Sequence, residues 1–243
     1  MPQLITKYNS GPLGISEAAD ALLDPKSAYR YFLDFISDKE DDEYISTDIA
    51  GSSTAAIVAG HGGIAQIVTG SAAAGNGAII GSQDDFIILD GGRMVYAEAR
   101  ISNDNLTNAW YFGLTADAPS TTEWSTAAIS PSTVAILIGR DAGTDLLTGA
   151  VAGKCLQLSI RGTGTTEQVV PLDFTLAVDT YYRVGFLVQG WTVQAFVNGK
   201  KCGNPVKMNS TSITPMGVQC SMVTPAASAR NMLVDYIDVV GTR

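Results

Sequence analysis

The sequence predicts an all-β protein, a two-sheet antiparallel β-sandwich of jelly-roll type with a short N-terminal extension. Three observations predict it. Apolar and polar residues alternate over many short segments, the mark of half-buried antiparallel strands. Glycine accounts for 25 of 243 residues, above the usual share of roughly 7%, so tight turns are frequent. No long helical pattern occurs, and so many strands cannot form one flat sheet without leaving an apolar face wet, whereas two sheets packed face to face bury it.

Residues 1–28 form the extension, punctuated by Pro2, Gly11, Pro12, Gly14 and Pro25. Ser16 suits a helix N-cap and Glu17 the first turn, so a short helix is predicted over 16–23. Isolated helices of under about a dozen residues are marginal in water. The extension must therefore pack on its own domain or on another subunit. Leu4, Ile5, Leu13, Ile15, Leu22 and Leu23 are its candidate partner-binding residues.

From Tyr29 the period becomes two, and residues 29–243 read as one sandwich domain without an internal linker or repeat. Strands are predicted at 30–35, 55–58, 64–69, 85–89, 93–101, 109–114, 134–138, 155–161, 217–223 and 231–240, with a charged loop at 38–43. The stretch 49–80 is apolar but broken by Gly60, His61, Gly62, Gly63 and Gly70, so it reads as short strands and small-residue turns rather than a membrane span. In 93–101, Val95, Ala97, Ala99 and Ile101 share one face, and Met94, Tyr96, Glu98 and Arg100 the other. The clearest segment is 181–199: Tyr182, Val184, Phe186 and Val188 share a face, Gln189-Gly190 turns, and Trp191, Val193, Ala195 and Val197 resume the alternation. Asn198-Gly199 then supplies the two positive-φ positions of a type I′ hairpin.

Composition excludes several function classes. With 46% hydrophobic and 16% charged residues, the chain is not intrinsically disordered. A net charge of −9 disfavours binding to phosphate backbones, so no nucleic-acid partner is expected. One histidine and three cysteines without C-x-x-C spacing (Cys155, Cys202 and Cys220) fit neither a zinc ribbon nor a disulfide scaffold. The N-terminus lacks the pattern of a secretory signal, so synthesis in a reducing cytoplasm is expected.

No catalytic constellation emerges, and the chain is expected not to be an enzyme and to need no cofactor or metal. Glycosidase chemistry needs two acids facing one cleft, roughly 5 to 9 Å apart, and no Glu-x-Asp-x-(x)-Glu run occurs. Asp235 and Asp238 lie three apart on one strand and are expected on opposite faces. Glu98 has Tyr96 and Arg100 as same-face neighbours, so it is expected to be a paired surface charge. His61 sits between glycines in a turn, and the cysteines read as buried thiols. Gly162-Thr163-Gly164 and Gly75-Asn76-Gly77 lack a P-loop's ending and read as hairpin turns. The acidic run 38–43 lacks the spacing of an EF-hand and reads as a solvated loop. Trp110 and Trp191 lie in apolar strands and are assigned to the core. Trp124, in a polar loop, is the one candidate sugar-stacking platform.

The runs Tyr181-Tyr182-Arg183-Val184-Gly185-Phe186 and Trp191-Thr192-Val193-Gln194-Ala195-Phe196-Val197-Asn198-Gly199 resemble the strand–turn–strand signature of concanavalin A-like and laminin G-like jelly rolls. With 31–35, 109–114 and 233–240, the pattern is similar to virion structural proteins of tailed bacteriophages, especially marine and cyanobacterial phages. That resemblance implies a capsid cement or decoration protein. Such a protein is made in the host bacterial cytoplasm, docks on the major capsid protein at the virion surface, and associates as a homo-oligomer, a trimer being favoured by capsid symmetry. The alternative is a carbohydrate-binding module of a phage tail or fibre that recognises host surface glycans.

Overall fold

The structure, a computed structural model, describes residues 28–35, 45–51, 53–58, 63–71, 73–106, 108–116, 124–125, 128–141, 155–209 and 214–242. Its strands are β1 (Ala28–Leu33), β2 (Ile45–Ala50), β3 (Thr54–Ile57), β4 (Ala65–Val68), β5 (Gly77–Gly81), β6 (Ile87–Ile88), β7 (Met94–Asn103), β8 (Ala109–Thr115) and β9 (Trp124–Ser125). They continue as β10 (Ala128–Ile129), β11 (Ala135–Arg140), β12 (Cys155–Arg161), β13 (Gln168–Thr175), β14 (Tyr182–Gln189), β15 (Thr192–Val197), β16 (Lys200–Lys207), β17 (Pro215–Val223) and β18 (Asn231–Thr242).

The strands form two 8-stranded antiparallel sheets and one small hairpin. The first sheet runs β16-β15-β14-β7-β18-β4-β3, with β1 also on β18. The second runs β13-β12-β11-β8-β17-β5-β2, with β6 also on β17. Their inner faces make one core. Val95, Ala97 and Ala99 of β7 and Val184, Phe186 and Val188 of β14 meet Phe112 of β8, Ile136 and Ile138 of β11, and Leu158 and Ile160 of β12. Phe112 and Phe186 bridge the sheets with ring centroids 6.1 Å apart. Each fully buried side chain of this size contributes roughly 1.5–3 kcal/mol relative to exposure, so the two-sheet solution follows from the alternation itself.

The hairpin of β15 and β16 turns at Asn198 and Gly199, with φ of 50° and 75°, as the Asn-Gly pair requires. Trp110 is a core residue at 2% exposure. Trp191 is not a strand residue. The turn between β14 and β15 sits at Gly190 and Trp191, where Trp191 has φ of 65°, so its ring lies half-buried beside Gly91 rather than in the strand alternation. The predicted strand at 85–89 shrinks to β6, two residues paired with Pro215 and Met216. The strands β2, β9, β10 and β13 are absent from the sequence reading; β13 carries Pro171, which only an edge strand tolerates because proline has no ladder N–H, and β13 is the edge of its sheet.

A bulge corrects the expectation for β18. Val234 and Ile237 both face the core although three residues apart, because the register shifts between Val234 and Tyr236. Asp235 therefore joins Asp238 on the outer face. Asp235 pairs with Arg100, and Asp238 takes a two-pronged ion pair from Arg30 at 2.8 and 2.9 Å. The alternation rule fails here because one inserted residue changes its phase.

Residues 1–27 of the expected extension 1–28, and with them Leu4, Ile5, Leu13, Ile15, Leu22 and Leu23, lie outside the described residues, as do the loop 38–43 and His61, whereas Ala28 begins β1. Of Trp124 the strand position is described. Cys202 and Cys220 are buried free thiols, and burial pushes the pKa of both up.

Candidate functional site

The outer face of the first sheet is organised around Glu98, only 8% exposed despite facing away from the core. Of the two same-face neighbours, Tyr96 is a partner, whereas Arg100 pairs with Asp235. Tyr96 donates to Glu98 Oε2 at 2.7 Å and Tyr236 donates to Oε1 at 2.6 Å. Burial and the adjoining carboxylate hold both phenols well above their ordinary pKa. Gly185 leaves the room: a Cβ there would meet Ala97 O at 2.4 Å and Glu98 Cα at 3.0 Å. Around this centre the groups satisfy one another. Arg100 stacks over Tyr181 while pairing with Asp235, and Arg30 covers Phe32 while pairing with Asp238. A face so internally paired is suited to rigidity more than to ligand exchange.

The outer face of the second sheet is different. Register places Tyr111 and Gly113 of β8, Ala135, Leu137 and Gly139 of β11, Gln157 and Ser159 of β12, and Gln219 and Ser221 of β17 side by side on it. Gln219 donates to the Tyr111 hydroxyl, and Ser221 donates to Ala78 O at 3.3 Å. The glycines let this surface curl: a Cβ on Gly139 would meet Trp110 O at 2.1 Å, and one on Gly113 would meet Ile136 O at 2.1 Å.

The chain of β9 and β10 crosses this face. Ile129 packs with Tyr111, Ala135 and Leu137 in a second, small apolar cluster. Two side chains tie it down: Asp141 accepts the Ile129 N–H at 2.6 Å, and Arg161 donates to Pro131 O. Trp124 belongs to this clasp, its backbone paired with Ile129. Two carboxyls therefore meet on the face, Asp141 under the clasp and Glu167 accepting from Ser159. Burial pushes both pKa values up, and Asp141 adds to the rise at Glu167. The amide nitrogen of Gln157 is buried beside Asp141 without reaching good hydrogen-bond geometry.

Where β8 and β12 end and β11 and β17 begin, this face opens into a pocket of about 280 Å³. Its wall is made of Ser132 and Thr133, Arg161, the turn Gly162–Gly164, and Thr214, with Ala116 and Val134 as its apolar part. The turn is closed by Thr165, whose side chain both accepts from Gly162 N at 3.0 Å and donates to Gly162 O at 2.9 Å. Gly164 takes φ of 67° with open space where a side chain would stand. The glycine run read as a hairpin turn is one, linking β12 to β13, and it also walls the pocket.

Sequence reasoning brought Trp124 to this region by its polar surroundings but missed Arg161, Asp141 and Glu167. Arg161 and Asp141 each stand at or just past the end of an apolar strand, and Glu167 stands just before one, which is the available signal. Their meeting depends on strands far apart in sequence. Among the described residues no group of three or more His, Cys, Asp or Glu is arranged to hold a metal ion.

No family model and no curated protein matches the sequence. Solved structures match the fold. The Emp47p carbohydrate recognition domain superposes with a TM-score of 0.59 at 10% identity, covering 89% of this chain and 97% of its own. The VIP36 exoplasmic/lumenal domain in its Ca²⁺/Man3GlcNAc-bound form gives 0.58 at 10% identity, over 86% of this chain and 87% of its own. The Crh5 transglycosylase gives 0.54 at 15% identity, over 86% and 83%. The chain has the concanavalin A-like sandwich fold.

Proposed function

We propose that the protein is a glycan-binding module whose site is the rim of the second sheet. The observation that carries this reading is the pocket walled by hydroxyls and one arginine beside the clasp that bears Trp124. Sugars are held by several directed hydrogen bonds and by stacking on an aromatic ring; the pocket wall supplies groups of the first kind, and we assign the second role to Trp124 on the adjoining strand. The fold supports it too: its solved neighbours include a carbohydrate recognition domain and a form bound to Man3GlcNAc.

A transglycosylase among the neighbours keeps an enzymatic reading in play, with Asp141 and Glu167 as the acids to test. Both are already engaged, Asp141 in holding the clasp and Glu167 with Ser159, so binding is the better-supported role. The capsid-cement reading, with the major capsid protein as partner and a trimeric arm, rests on the extension 1–27 and on the phage resemblance. The fold's neighbours favour the glycan reading over it.

A glycan array probed with the full chain tests the proposal. Specific binding that weakens at least about tenfold in Trp124→Ala, a loss of about 1.4 kcal/mol, supports it. An array without specific signal contradicts it.

A further inference from the structure

We infer that the rim pocket selects an anionic sugar, a uronic-acid unit whose carboxylate meets Arg161. This inference rests on the glycan-binding reading and names the ligand class. The chain carries 24 acidic and 15 basic residues, yet among the described residues of the pocket wall the one charged side chain is a cation. The guanidinium is half-buried and one of its nitrogens is committed to Pro131 O, which fixes the head group and leaves its remaining N–H donors to the pocket. A guanidinium held this way matches a carboxylate's two oxygens in a way that a lysine could not.

The rest of the wall fits a single pyranose. Ser132 and Thr214 supply hydroxyls that both donate and accept, as ring hydroxyls need, while Ala116 and Val134 offer a small apolar floor. Thr163 and Gly164 are exposed at the tip of a turn closed by Thr165, so they form a fixed lip. A volume of about 280 Å³ lies just under the range of roughly 300–1,000 Å³ seen for drug-sized ligands, which suits one sugar unit. Among the described residues, Glu167 lies outside the wall and is engaged by Ser159, with Arg161 acting on it electrostatically.

The test is calorimetric titration of the full chain with matched trisaccharide pairs of gluco, galacto and manno configuration. Each pair is a uronate and its neutral methyl ester, accompanied by a sulfated neutral sugar. The expected result is that one uronate binds about tenfold or more tightly than its ester, with an advantage that shrinks as salt rises. Arg161→Gln should erase the difference, and Arg161→Lys should restore part of it. Because the ester comparison uses the unaltered protein, it stands even if Arg161→Gln unfolds. Neutral sugars binding as well as their uronates would overturn the inference while leaving glycan binding intact. A sulfated sugar preferred over every uronate would overturn the carboxylate assignment. No binding by any member, with array signal also absent, would overturn the glycan reading itself.

Discussion

The buried carboxylate of Glu98 shows how one residue sets the chemistry of a sheet face. Two phenols donate to it, one to each oxygen, so removing one leaves half of the buried carboxylate without its donor. Tyr236→Phe should therefore lower stability by about 1.5–3 kcal/mol, the range for hydrogen bonds to charged groups, measured by urea unfolding. Loss of less than about 0.5 kcal/mol, the size of a surface substitution, would show that water replaces the phenol. Gly199 works through the backbone. At φ of 75° a β-branched residue is strained, and Gly199→Val should cost about 1–3 kcal/mol. A variant that melts with the parent would mean that the turn adjusts freely.

At the scale of elements, the strands were legible wherever alternation was regular. The predicted 155–161 coincides with β12, and 93–101 lies within β7 apart from one residue. Three features escaped for physical reasons. The bulge in β18 changes phase without any residue type that announces it. The edge strand β13 buries too few side chains to alternate clearly. The clasp of β9 and β10 is held by Asp141 and Arg161, contacts set by the fold rather than by local pattern. The clasp should respond to pH. Asp141 and Glu167 have folded-state pKa values above those of the unfolded chain, so the folded protein binds their protons more tightly. Their contribution to stability is full below about pH 4, the ordinary carboxylate range, and is lost as pH rises through the raised folded values. Asp141→Asn should remove part of that decline, so wild type and variant converge at low pH and separate toward neutrality in the variant's favour. Thermal melts across this range decide the point. A difference that grows toward acid instead would mean that the ionised Asp141 carboxylate stabilises the clasp.

For the molecule as a whole, the division of labour between faces is the main result. The first sheet presents a self-paired surface, whereas the second carries the clasp and the rim pocket. The apolar residues of the extension are expected from the sequence to pack on the sandwich or on another subunit. Removing residues 1–27 spares Ala28, which starts β1 and is buried. If the extension mediates association, the shortened chain should remain folded but elute as a monomer by light scattering, where the full chain is oligomeric. A full chain that is itself monomeric would assign those apolar residues to packing on their own sandwich.

The central claim is that the rim of the second sheet binds sugar. The most direct measurement is the amide NMR spectrum of the isotopically labelled protein titrated with an oligosaccharide that scores on the array. The account predicts saturable shifts at Arg161, Gly162, Thr163 and Thr214 and along the clasp at 128–134, with the outer face around Glu98 unmoved. Shifts centred on Tyr96, Tyr236 and Arg30, with the pocket amides unchanged, would contradict it.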